Sequence, residues 1–167
     1  MERATLDRFI TEWLARAHRD GAEAARAEWC TQGVALLELG ARFSAVRIPE
    51  RLVRAALGST DLTQIADRLA ARLQGPVIRD SLANGIPYYA LIQGHAALAW
   101  DGGEDTPCLG DGTHLGVPHL SRVTPPGTYW LVPPHDAGDL CRPEYVRQLV
   151  RDARTAMAAD ELAEVQA

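Results

Sequence analysis

Lysine is absent: all 17 cationic residues are arginine. A phosphate-binding Walker lysine, a Schiff-base lysine and a lysine general base are therefore excluded. Cysteine is scarce, with Cys30, Cys108 and Cys141 odd in number and widely spaced. That pattern excludes a disulfide framework and reads as reduced thiols in a cytoplasmic protein. No apolar run approaches the roughly 18 residues of a membrane span, and the charged, amphipathic N-terminal stretch lacks the apolar core of a signal peptide. The expectation is an intracellular protein with no membrane partner. Excess positive charge is lacking too. A net charge of −5 and a pI near 5.5 provide no global pull toward nucleic acid, whose binding rests on phosphate neutralisation, so any such binding should be weak. Only 6% of residues are aromatic, but 47% are hydrophobic, and 167 residues suffice for one domain burying roughly two-thirds of its unfolded surface.

Periodicity supplies the elements. Leu6, Phe9, Ile10, Trp13, Leu14 and Ala17 recur at the spacing of one helical face, predicting an amphipathic helix over 2–18 whose Trp13 and Leu14 pack on the domain's own sheet. An Ala-rich segment, 22–29, adds two turns. The apolar runs 34–39 and 43–48 flank Gly40-Ala41-Arg42 and predict a hairpin. Pro49 fits a first helical residue, Leu52, Val53, Ala56 and Leu57 form a stripe, and Gly58 supplies the left-handed stop. Asp61 and Gln64 at capping-box spacing open a helix over 61–73 that Gly75-Pro76 ends.

Strands are expected at 77–79, 86–92 and 96–100, the first two joined by the hairpin signal Asn84-Gly85, then at 113–117 and 128–132. A final helix runs from Pro143 to about Leu162. Strands bracketed by helical blocks argue for a single α+β domain over 1–167, with N-terminal, central and C-terminal helices packed on a mixed, mostly antiparallel sheet.

Candidate chemistry concentrates in Gly110–Pro118. Asp111, Thr113 and His114, with His119 and Tyr129 beyond, are the candidate ligand-binding residues. Cys108, His114, His119, His135 and Cys141 are zinc-ligand types, but no C-x2-C, H-x3-H or H-E-x-x-H spacing unites them. The acidic, glycine-rich loop Asp101, Glu104, Asp105 and Asp111 would collect magnesium or manganese, yet it lacks the EF-hand order. No cofactor or metal ligand is assigned on this basis. Ser44, Ser81 and Ser121 stand outside any G-x-S-x-G, so no catalytic residue is assigned either. Arg42, Arg47, Arg51 and Arg54 form the cationic cluster best placed to meet nucleic acid, although such clusters are commonly solvated faces. Tyr88, Tyr89, Tyr129 and Trp130 form either an aromatic patch for a protein partner or part of the sheet core.

Four segments carry a family resemblance: Gly75-Pro76-Val77-Ile78-Arg79-Asp80, Ile86-Pro87-Tyr88-Tyr89-Ala90-Leu91, Gly112-Thr113-His114-Leu115-Gly116-Val117-Pro118 and Tyr129-Trp130-Leu131-Val132-Pro133-Pro134. The stretch they span, Gly75 to Pro134, is about a third of the chain. The region resembles the N-terminal domain of bifunctional primase-polymerases, in the archaeo-eukaryotic primase superfamily, and in particular divergent actinobacterial prim-pol-like proteins. Active members carry an h-x-D-x-D strand that binds two divalent metals, a histidine on a later strand and a third acidic residue. Here the matching strand reads Ala45-Val46-Arg47-Ile48-Pro49, with Arg47 and Pro49 at the aspartate positions, and the histidine strand reads Pro87-Tyr88-Tyr89. The resemblance thus implies the fold with its catalytic motifs lost. The expectation is a non-catalytic binding or regulatory module whose main partner is another protein. The alternatives are a metal-dependent nucleotidyltransferase or nucleotide-processing enzyme using loop 101–111 with His114 and His119, and a structural interaction partner.

Overall fold

The structure, a computed structural model describing residues 2–166, is α+β, and every strand pairing in it is antiparallel. Helix α1 spans Glu2–Ala15 and α2 Ala22–Gln32. Strand β1 is Val34–Glu38, β2 Phe43–Pro49, β3 Val77–Asp80, β4 Pro87–Gln93, β5 Cys108–Leu109, β6 His114–Pro118 and β7 Thr128–Val132. Helices α3 (Glu50–Leu57) and α4 (Leu62–Leu73) lie between β2 and β3, and α5 (Pro143–Gln166) closes the chain. No helix among the described residues is long and apolar enough to cross a membrane.

The main sheet has the order β5-β2-β4-β3-β7. Because β2 and β3 both run antiparallel to β4, they are parallel to one another with β4 between them, and α3 and α4 form the crossover. Alternation along the strands sends side chains to two cores. Val46, Ile48, Tyr88, Ala90 and Ile92 meet Leu52, Leu69, Leu73, Leu149 and Val150 of α3, α4 and α5 on one face. Phe43, Ala45, Ile78 and Leu91 meet Ile10, Leu14, Trp29, Leu37 and Val117 on the other. The register slips between Val77 and Ile78, so Val77 lies opposite Val132 and Ile78 opposite Trp130. This irregularity lets Trp130 and Val132 serve opposite cores despite their i, i+2 spacing.

The expected pairing of 34–39 with 43–48 does not occur. β1 instead pairs with β6 in a separate two-stranded sheet, and β2 pairs with β4 and β5. Gly40, at φ 108°, turns a corner held by its N–H donating to the Phe43 carbonyl at 2.8 Å, while the Leu39 N–H donates to the Thr113 carbonyl and continues the β1–β6 ladder. Burial explains the choice. Ala35, Leu37 and Leu39 gain cover by lying across the face of the main sheet, which a place at its edge would not provide.

Residues 96–100 also depart from expectation: 96–99 belong to the 3₁₀ helix Gly94–Ala99, and Trp100 caps it. Three alanines carry little strand preference, and the Ser44 hydroxyl donates to the Gly94 carbonyl, fixing the turn that leaves β4. The edge beside β2 goes to β5, whose two residues are too short to carry a period. Pro49 precedes α3 as its cap residue, so Glu50 is first in the helix. Asp61 accepts the Gln64 N–H at 3.1 Å as expected, and Gly58 stops α3 at φ 64°.

In α1 only the second half of the stripe is covered. Ile10 and Leu14 are buried and Trp13 packs on Phe43 with ring centroids 5.7 Å apart, but Phe9 remains 60% exposed. Leu14→Ala is expected to remove about 2–5 kcal/mol of stability, read as a lower denaturant midpoint at unchanged slope. An unchanged midpoint would mean that α1 does not form part of the folded core.

Candidate functional site

A polar cluster is buried where β2, β3, β4 and β7 meet the start of α3. Glu50 and Arg79 are 5% and 6% exposed. The Arg79 Nη2 and Nε donate to Glu50 Oε1 at 2.8 and 3.2 Å, the Tyr88 hydroxyl donates to the same oxygen at 2.9 Å, and the Arg79 Nη1 donates to the Tyr129 hydroxyl at 2.9 Å. The guanidinium also faces both rings, 5.7 Å from the Tyr88 centroid and 6.0 Å from that of Tyr129. Burial pulls the Arg79 pKa down, but bonds to Tyr129 and Glu50 outweigh it, and the net direction is upward. Burial first, then the Glu50 carboxylate, pushes the Tyr88 phenol well up. The cluster is a buried Glu50–Arg79 ion pair hydrogen-bonded to two tyrosine hydroxyls.

A separate cleft of about 270 Å³ opens at the end of β2, lined by Arg47, Pro49, Arg51, the Asn84-Gly85 turn, Glu104 and Asp105. The turn is tied to α3 by the Glu50 N–H, which donates to the Gly85 carbonyl at 3.2 Å. Arg51 approaches Asp105 at 3.8 Å, Arg154 also pairs with Asp105, and Arg54 approaches Glu50 at 3.4 Å. Arg47 and Pro49 line this cleft from β2. They do not fit a divalent cation: arginine repels it and proline offers it no side-chain donor.

The four arginines do not make one face. Arg42 sits in the corner before β2, Arg47 near its other end, and Arg51 and Arg54 on α3. The acidic loop is likewise dispersed. Asp101 lies 3.5 Å from Arg147, Asp105 is held by arginines, and Asp111 packs against Gly40. Among the described residues no three His, Cys, Asp or Glu side chains converge where they could hold a metal ion.

The candidate ligand residues separate along β6. Asp111 and Thr113 form the turn leading into it, with the Thr113 N–H donating to the Gly110 carbonyl. His114 is at its exposed start and His119 follows its end, about 16 Å away at 3.3 Å per residue. Tyr129 is in the buried cluster on the other side of the main sheet. The aromatic patch is also dispersed: Tyr88, Tyr129 and Trp130 are at most 2% exposed and only Tyr89 is half-buried. They belong to the core because each projects from a strand covered on both faces.

His119 instead lines a second, larger groove of about 500 Å³, with Arg26, Trp29 and Cys30 of α2, Ser121 and Arg122. Its Nδ1 accepts the Ser121 N–H at 3.2 Å and lies 2.8 Å from the Ser121 hydroxyl, and its ring stands edge-on to Trp29 with centroids 6.4 Å apart. Glu50, Arg79 and this groove are missed by sequence reasoning. Arg79, a charge inside the apolar run Val77-Ile78-Arg79, was the one local signal available, since a strand buried on both faces admits a charge only with a partner. No family model, no curated protein and no solved structure matches this chain.

Proposed function

We propose that this protein is a non-catalytic binding or regulatory module on a degenerate primase-polymerase-like fold, acting in the cytoplasm. The observation that carries this reading is the cleft at the end of β2, where Arg47 and Pro49 stand at the metal-ligand positions and the nearby Asp105 is already neutralised by Arg51 and Arg154. Two-metal phosphoryl transfer needs carboxylates with open oxygens at that point. The alternative, a metal-dependent nucleotide enzyme built on loop 101–111 with His114 and His119, is weakened by the separation of those histidines at opposite ends of β6.

The test is primer synthesis and extension on a single-stranded template with all four nucleotides and magnesium or manganese. No product above the no-protein control is expected. Extension abolished by Asp105→Asn or Asp111→Asn would overturn the proposal and establish the enzyme reading. The protein partner expected from the sequence cannot dock on Tyr88, Tyr129 or Trp130, whose side chains are in the core. An exposed apolar surface does remain on α1, at Phe9 and Leu6.

A further inference from the structure

Four arginines among the described residues are less than freely exposed: Arg72, Arg79, Arg122 and Arg147. Three have a carboxylate, Asp152, Glu50 and Asp101 respectively. Arg122 has none among the described residues; its Nη1 donates to the Gln32 carbonyl at 3.3 Å, at the C-terminal end of α2. Partial burial of a cation costs free energy that a helix-end carbonyl offsets only in part. Arg122 lies against Gly33, the left-handed C-cap of α2 at φ 73°. Gly33 has no side chain, and a Cβ there would collide with the Arg122 guanidinium.

The groove into which Arg122 faces has the size of a small-molecule site, about 500 Å³. Trp29 is a largely buried wall whose indole N–H is already committed to the Val117 carbonyl at 2.9 Å, so toward the groove it offers an apolar ring. Because a backbone N–H can only donate, the Ser121 N–H fixes His119 Nδ1 as an acceptor and leaves Nε2 to carry the ring proton in the neutral form. Arg26, on the same wall, is paired with Glu12 across the α1–α2 junction. An adjoining depression of about 300 Å³ shares His119 and Ser121 and contains the Arg3 and Asp7 side chains. The groove thus combines one forked cation without an acidic partner, an imidazole donor and an aromatic wall.

We infer that this groove binds a small organic oxyanion, a carboxylate or phosphate carried on a planar apolar body, with Arg122 taking the anion and Trp29 the ring. The inference deepens the binding-module reading and rests on it for biological meaning, but not for its test. Benzoate, phenyl phosphate and neutral benzyl alcohol are titrated separately into the ¹⁵N-labelled full-length protein and followed by amide and indole N–H shifts. Benzoate or phenyl phosphate is expected to shift Gly33, Ser121, Arg122 and the Trp29 indole, benzyl alcohol to bind at least about 10-fold more weakly, and Arg122→Gln to weaken the anions about 10- to 100-fold. Arg47→Gln, in the other cleft, leaves binding unchanged. The wild-type shift map stands even if Arg122→Gln fails to fold. Saturable shifts elsewhere, no shifts at 10 mM anion, or equal binding by benzyl alcohol would overturn the inference. Primer extension would instead overturn the non-catalytic reading while leaving this site intact, so the two failures are distinguishable.

Discussion

Glu50→Ala is expected to lower the unfolding free energy by about 3–5 kcal/mol, because it strands the Arg79 guanidinium in the interior without its counter-charge. One oxygen, Glu50 Oε1, accepts from Arg79 twice and from Tyr88 once. Its removal leaves Arg79 with the Tyr129 hydroxyl and two ring faces, none of them anionic. For a chain of this size the loss corresponds to a fall in Tm of about 6–20 °C. Arg54→Ala is the internal control. That side chain is 44% exposed and meets Glu50 from the solvent side, so its change should stay within about 1 kcal/mol. The double variant Glu50→Leu with Arg79→Met removes both charges, and most of the lost stability should return. Thermal and urea unfolding of the four proteins decide the matter. A loss below about 1 kcal/mol in Glu50→Ala would show that water reaches the pair and screens it.

Trp130→Ala should be comparably damaging, at about 3–5 kcal/mol. The side chain is fully buried, and its indole N–H donates to the Pro118 carbonyl at 2.9 Å while its backbone N–H donates to the Arg122 carbonyl at 2.8 Å. Trp130 therefore joins β7 to the segment that carries His119, Ser121 and Arg122. Trp130→Phe separates the two contributions: it keeps a ring in the core and removes only the indole donor, at about 1–3 kcal/mol for the orphaned carbonyl. Denaturant midpoints report both values, and the backbone shifts of residues 119–122 should move more in Trp130→Phe than those of the distant α4. If Trp130→Ala loses less than about 1 kcal/mol, the core assigned to this face of the sheet is wrong.

Local chemistry alone determined much of the secondary structure. The α1 stripe, the Asp61 cap, the Gly58 stop, the Asn84-Gly85 turn between β3 and β4 and the span of β7 each depend on residues within a few positions of one another. The missing lysine and the presence of Arg47 and Pro49 are likewise legible without coordinates. Tertiary structure decided the rest. Whether β1 pairs with its sequence neighbour β2 or with β6 depends on which arrangement buries Ala35 and Leu37, and that depends on a sheet assembled from distant segments. The fate of the tyrosines followed from both faces of β4 and β7 being covered, which periodicity in one strand cannot reveal. The Glu50–Arg79 pair and the His119–Arg122 groove join residues far apart in the chain. No spacing encodes their meeting, because partners in an interior are chosen by the packing of whole layers, whereas a helix or a turn is chosen by its own neighbours.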